Sequence, residues 1–123
     1  MIVLDASAVL AYLFDEPGGV LVGEELTGEG SAAAIAAANW SEVAQKLGSS
    51  VEVAVAKAIL TSNNVSIEPV TAEDGERAAS LWEKGSSLSL GDRLCMALGT
   101  RLSSPIYTAD SAWGESESVI QIR

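Results

Sequence analysis

The sequence predicts an α/β fold, a mostly parallel sheet covered by helices on both faces. Short apolar runs alternate along the chain with longer segments of helical periodicity. The runs are too short to stand alone as strands but suit strands buried between layers. No linker, repeat or low-complexity stretch interrupts the 123 residues, so residues 1–123 read as one domain.

Taken in order, Ile2 to Leu4 is an apolar run closed by Asp5. Ala6 to Phe14 follows as a helix with Val9, Leu10, Leu13 and Phe14 on its apolar side, capped by Asp5 or Ser7. Asp15-Glu16-Pro17-Gly18-Gly19 breaks the pattern, with Pro17 expected to open a helix carrying Val20 to Leu26. Gly28 to Gly30 is a turn, and Ala33 to Ala36 a second buried strand despite the low strand preference of alanine. Helices are expected from Asn39 to Leu47, with Val43, Ala44 and Leu47 inward, and from Val51 to Leu60.

Val65 to Val70 reads as a strand whose Pro69 marks an edge or an end. Thr71 and Asp74 form a capping-box pattern before a helix containing Ala78, Leu81 and Trp82. Ser89 and Asp92 repeat that pattern before a helix reaching Leu102. Pro105 to Thr108 and Ser118 to Ile122 supply the last strands.

Composition excludes several chemistries. The 48% hydrophobic content is enough to offset chain entropy, although much of it is alanine, which buries little area per residue. A single cysteine, Cys95, leaves no intramolecular disulfide or multi-cysteine metal site, and is read as a small buried hydrophobe. There is no histidine, hence no Ser-His-Asp arrangement and no imidazole zinc site. Nothing reaches membrane-spanning length and no secretion signal is evident, which makes a cytoplasmic location the expectation. Seventeen acidic residues against seven basic ones give a formal charge of -10, which argues against a broad nucleic-acid-binding face. Clustered carboxylates would instead attract a hard divalent cation and so present a positive centre to phosphate.

Four carboxylates stand out. Asp5 and Asp110 each follow a predicted strand, and ligands of open α/β sheets bind outside the carboxyl ends of strands. Asp5 reads as a metal ligand, a helix cap, or both; Ser7 either faces the same cluster or caps the helix. Thr108 adds a hydroxyl near Asp110, for the cluster or for a loop. Asp92 is the last member of a capping box and also lies at the amide end of a largely buried helix, where it can stay ionised as a ligand must. Gly91 allows another element or a ligand to approach closely. Glu42 is either an exposed solubilising residue or part of a polar stripe with Ala38 and Gln45 at the rim of the core. Asn39 anchors the helix start or contacts substrate. Arg93 reaches a phosphate or pairs internally, Arg101 is a surface or dimer residue, and Trp82 and Trp113 pack.

Val3-Leu4-Asp5-Ala6-Ser7-Ala8, Asn39 through Glu42-Val43, Leu90 through Ala97, and Thr108 through Trp113 resemble the blocks of the PIN domain, most closely the VapC-type toxins of bacterial toxin-antitoxin pairs. The resemblance spans essentially the whole chain. It implies a three-layer α/β/α sandwich with a central mostly parallel sheet, a homodimer, and an RNA endonuclease using Mg2+ or Mn2+. The family's acidic residues map onto Asp5, Glu42, Asp92 and Asp110, with Asp5, Asp92 and Asp110 as direct or water-mediated metal ligands. Glu42 would bind through water or orient the nucleophile. A further family acid has only Glu115 as an uncertain counterpart, which puts a second ion in doubt. A toxin implies a small antitoxin, expected to insert a basic or arginine-containing segment near the acidic pocket, with Leu13 and Phe14 offering apolar contacts. The competing accounts are a PIN-like binding protein that has lost catalysis and a housekeeping RNA or DNA nuclease. A phosphoacceptor domain is disfavoured because no lysine lies near the last strands.

Overall fold

The structure, a computed structural model, describes residues 1–123. Its strands are β1 (Ile2–Leu4), β2 (Ala33–Ala36), β3 (Val65–Glu68), β4 (Ile106–Thr108) and β5 (Val119–Gln121). They form one sheet in the order β3-β2-β1-β4-β5, and every pairing is parallel. Strands of three or four residues make few ladder bonds, so burial on both faces must hold them. Side chains alternate accordingly: Leu4, Ala33 and Ile35 enter one core cluster, while Val3, Ala34, Ala36 and Ile106 enter the other. All four residues of β2 are buried because it lies between β1 and β3. Position in the sheet, not alanine's intrinsic preference, makes this segment a strand.

Six helices cover the sheet: α1 (Ala6–Leu13), α2 (Gly19–Thr27), α3 (Ala37–Leu47), α4 (Ser50–Ser62), α5 (Ala72–Ser80) and α6 (Leu90–Arg101). Val9 of α1, Val22 of α2, Val43 of α3 and Leu60 of α4 fill the first cluster, whereas Cys95 and Leu98 of α6 fill the second. The result is the expected α/β/α sandwich. Both capping boxes form as read, Thr71 with Asp74 and Ser89 with Asp92. Along the chain β1, β2 and β3 build outward to one side, and β4 then returns to the other side of β1. The strand order therefore reverses between β1 and β4, and ligands of open α/β sheets bind outside the carboxyl ends of the strands at such a point.

Several local expectations need correction. α1 stops at Leu13, and Phe14, expected inward, is its C-cap and 52% exposed. Pro17 does not open α2; Gly18 takes the left-handed conformation at φ 92 and delays the helix to Gly19. α3 begins at Ala37, immediately after β2, so Asn39 lies inside its first turn and does not cap it. β3 ends at Glu68 and leaves Pro69 beyond an edge strand. α5 ends at Ser80, and Trp82, expected to pack, is 61% exposed in the following loop. Trp113 does pack, against the second cluster.

Candidate active site

Asp5 follows β1 directly, caps α1, and is only 5% exposed. Its Oδ1 accepts hydrogen bonds from Ala8 N at 2.9 Å and Ser7 Oγ at 2.7 Å, and its Oδ2 accepts one from Thr108 Oγ1 at 2.6 Å. Ser7 thus serves the carboxylate, and Asp5 is the cap. Each hydroxyl works twice: Ser7 Oγ accepts from Ala109 N at 2.9 Å and Thr108 Oγ1 from Asp110 N at 3.0 Å. The ends of β1 and β4 are joined through these side chains. Burial raises the Asp5 pKa; the hydrogen bonds from Ser7, Thr108 and Ala8 oppose the rise, and the charge of Asp92 adds to it.

Glu42 sits one turn along α3 and is exposed. Asn39, 2% exposed, donates from Nδ2 to Glu42 Oε1 at 3.3 Å and to the Gly91 carbonyl at 3.1 Å. Partial burial raises the Glu42 pKa, Asn39 opposes this, and the charges of Asp92 and Asp5 reinforce it. Asp92 stands in the first turn of α6, where Oδ2 accepts from Ser89 N at 2.9 Å. The charge of Asp92 thus reaches both Asp5, after β1, and Glu42, on α3, and that of Asp5 reaches Glu42. Cys95, buried just along α6, has its thiol pKa raised well above the ordinary value by burial and then by the charges of Asp5, Asp92 and Glu42.

Asp110 stands two residues beyond β4 and is exposed. It caps the single 3-10 turn Ser111–Trp113 by accepting from Ala112 N at 2.9 Å. Neither Asp110 nor Glu115 is among the charges acting on Asp5 or Glu42. Glu115 is exposed and borders a shallow depression with Ser111, Gly114 and Gln121. Arg93 turns away from the carboxylates and donates from Nη1 to the Ala78 carbonyl at 2.8 Å. Arg101 forms a two-pronged contact with Asp74, at 3.0 and 3.1 Å, and ties α5 to α6. The sequence does not announce this pair: an aspartate in the first turn of one helix and an arginine in the last turn of another, 27 residues on, carry no signal of contact. The close approach expected at Gly91 is made by Glu42 Oε1.

The donors suit a hard divalent cation by chemistry: oxygen only, anionic, and mutually repelling. No cationic side chain neutralises Asp5, Glu42 or Asp92, since the sole salt bridge joins Arg101 to Asp74. As the side chains stand, no three acidic or thiol groups close around a single point. An ion held by three of them would require side-chain movement.

No curated protein matches this sequence. The family model described as PIN domain matches residues 2–115. Among solved structures, a toxin-antitoxin complex from Klebsiella pneumoniae is similar at TM-score 0.78 and 17% identity, covering 100% of this chain and 98% of that one. Mycobacterium tuberculosis VapC20, a sarcin-ricin loop cleaving toxin, is similar at TM-score 0.72 and 20% identity, over 95% and 98% of the two chains. VapBC2 from Rickettsia felis, bound to a DNA fragment from its promoter, gives TM-score 0.69 and 18% identity over 98% and 97%.

Proposed function

The chain belongs to the PIN domain family, and from that premise we propose that it is a metal-dependent endoribonuclease, the toxin of a toxin-antitoxin pair. The observation that carries this reading is a set of three carboxylates, Asp5, Glu42 and Asp92, none with a salt-bridge partner, in which the charge of Asp92 raises the proton affinity of both Asp5 and Glu42. Such a set is costly unless it binds a cation.

Asp5 and Asp92 would hold Mg2+ or Mn2+, with Asp110 as a further ligand from β4 and Glu42 binding through water or orienting it. When bound, the ion supplies Lewis acidity toward a phosphate oxygen and a lower pKa for its water. The chain's own part is positional. Ser7, Thr108 and Ala8 hold both oxygens of Asp5, Ser89 holds Asp92, and Asn39 holds Glu42. The net charge of -10 leaves RNA little to attract it apart from this centre. A homodimer and a cytoplasmic site of action complete the proposal; no helix is long and apolar enough to cross a membrane.

The partner would be a small antitoxin with an arginine-bearing segment inserted near these acidic residues, where a guanidinium can engage a carboxylate with two parallel bonds. Phe14, exposed at the end of α1, is available for the apolar part of that contact. RNA cleavage by the purified protein with Mg2+, Mn2+ or EDTA, beside Asp92→Asn, is the test. Cleavage should need the metal and collapse in the variant while the fold survives. Wild-type cleavage by Asp92→Asn in metal-replete buffer would sink the site. A neighbouring gene product that neither co-purifies with the chain nor inhibits its cleavage would sink the toxin assignment alone.

A further inference from the structure

We infer that Asn39 and Gly91 are positioning residues that together seat the Glu42 carboxylate on the first turn of α6. The inference deepens the proposed function and rests on it, since it assigns Glu42 a fixed place beside Asp5 and Asp92.

Glu42 is long and exposed, so without partners it would sample many rotamers and lose entropy each time it was needed. Two features restrict it. Asn39 Nδ2 donates to Oε1 at 3.3 Å, and the same amide nitrogen donates across to the Gly91 carbonyl, 52 residues away, at 3.1 Å. Gly91 then leaves open the space that Oε1 occupies. A Cβ there would overlap Oε1 and stand 3.5 Å from Glu42 Cδ and 3.7 Å from Asn39 Nδ2.

Neither residue is explained by folding alone. Gly91 lies in a helix and has no positive φ, so the backbone does not demand glycine, which destabilises a helix relative to alanine. Asn39 is buried with its Oδ1 lacking any donor, a cost that an apolar side chain of similar size would not carry. The amide cannot turn over to relieve it, because Oδ1 would then face two oxygens, Glu42 Oε1 and the Gly91 carbonyl. Both costs are borne at the one place where α3 and α6 bring Glu42 and Asp92 together. Glycine and a buried amide at this junction give the carboxylate a docking notch and a donor that keeps it there. Asn39 acts through Glu42 and touches no reacting atom.

The test uses the full-length protein without RNA for Mn2+ titration by calorimetry, and with RNA for kcat and KM. Asn39→Leu keeps the packing and removes the donor; Gly91→Ala keeps every polar group and fills the notch. Each should weaken Mn2+ binding about tenfold or more and lower kcat similarly, with KM for RNA little changed. In a Glu42→Gln background neither substitution should cause further loss, because the group they position is already disabled. Asn39→Leu or Gly91→Ala with wild-type Mn2+ affinity and kcat overturns the inference, as does the same loss persisting in Glu42→Gln. Should Asn39→Leu fail to fold, Gly91→Ala decides. If Glu42→Gln itself leaves Mn2+ affinity and cleavage unchanged, both the inference and the role proposed for Glu42 fall. A large effect of Glu42→Gln without any effect of its two neighbours removes the inference only.

Discussion

Thr108 shows how much of the site depends on one hydroxyl. It is fully buried, donates to Asp5 Oδ2 and accepts from Asp110 N, so one atom joins the acids that follow β1 and β4. Thr108→Val keeps shape and loses both bonds. A buried carboxylate oxygen and a backbone N–H would then be left without this partner, at about 1–3 kcal/mol. Urea denaturation should show a loss of that size, and Mn2+ affinity should fall with it. An unchanged midpoint together with unchanged affinity would show that the hydroxyl serves neither purpose.

At the scale of elements, glycines and one ion pair determine how helices meet. A Cβ at Gly19 would overlap the Ala11 carbonyl, where α2 starts against α1. A Cβ at Gly75, inside α5, would meet nothing within 4 Å. The same substitution should therefore act in opposite directions: Gly19→Ala destabilises by about 1–3 kcal/mol through overpacking, and Gly75→Ala stabilises by about 1 kcal/mol through helix propensity. Equal signs in thermal or urea denaturation would contradict the local packing described for these two helices.

The α5–α6 contact carries a pH dependence. Burial alone would raise the Asp74 pKa, but hydrogen bonds from Arg101 and from the backbone and hydroxyl of Thr71 hold it below the ordinary 3.8. The folded value is depressed, so this contribution is present above 3.8 and is lost as pH falls through the folded value. Arg101→Met should cost about 1 kcal/mol at neutral pH, since Arg101 is partly solvent-screened. The variant should also approach the wild type in stability at acid pH, where Asp74 is protonated in both. A constant gap across the acid range would mean that packing of the arginine stem, and not the ion pair, holds the helices.

For the whole molecule the dominant quantity is charge. A net -10, with Asp5, Glu42 and Asp92 lacking any salt-bridge partner, sets self-repulsion against the fold. Mn2+ binding only the folded state should raise thermal stability by mass action, about 2.7 kcal/mol at a hundred times its dissociation constant. EDTA should reverse the gain, and Asp92→Asn should reduce it. Sodium chloride at matched ionic strength gives screening without ligation, so an equal gain from both salts would count against a metal centre.

The sequence by itself determined the alternation of strands and helices, both capping boxes, the aspartates that follow β1 and β4, and the family. Each is carried by spacing within a few residues or by short blocks, and local backbone geometry answers to such spacing. Only the tertiary structure decided that Phe14 and Trp82 face solvent, that Arg101 holds Asp74, and that Glu42 rests against Gly91. The reason is separation along the chain. Asp5 and Thr108 are 103 residues apart, Asn39 and Gly91 52, and Asp74 and Arg101 27. No local pattern encodes which of the many polar groups will meet once a parallel sheet, closed by long crossovers, has chosen its strand order.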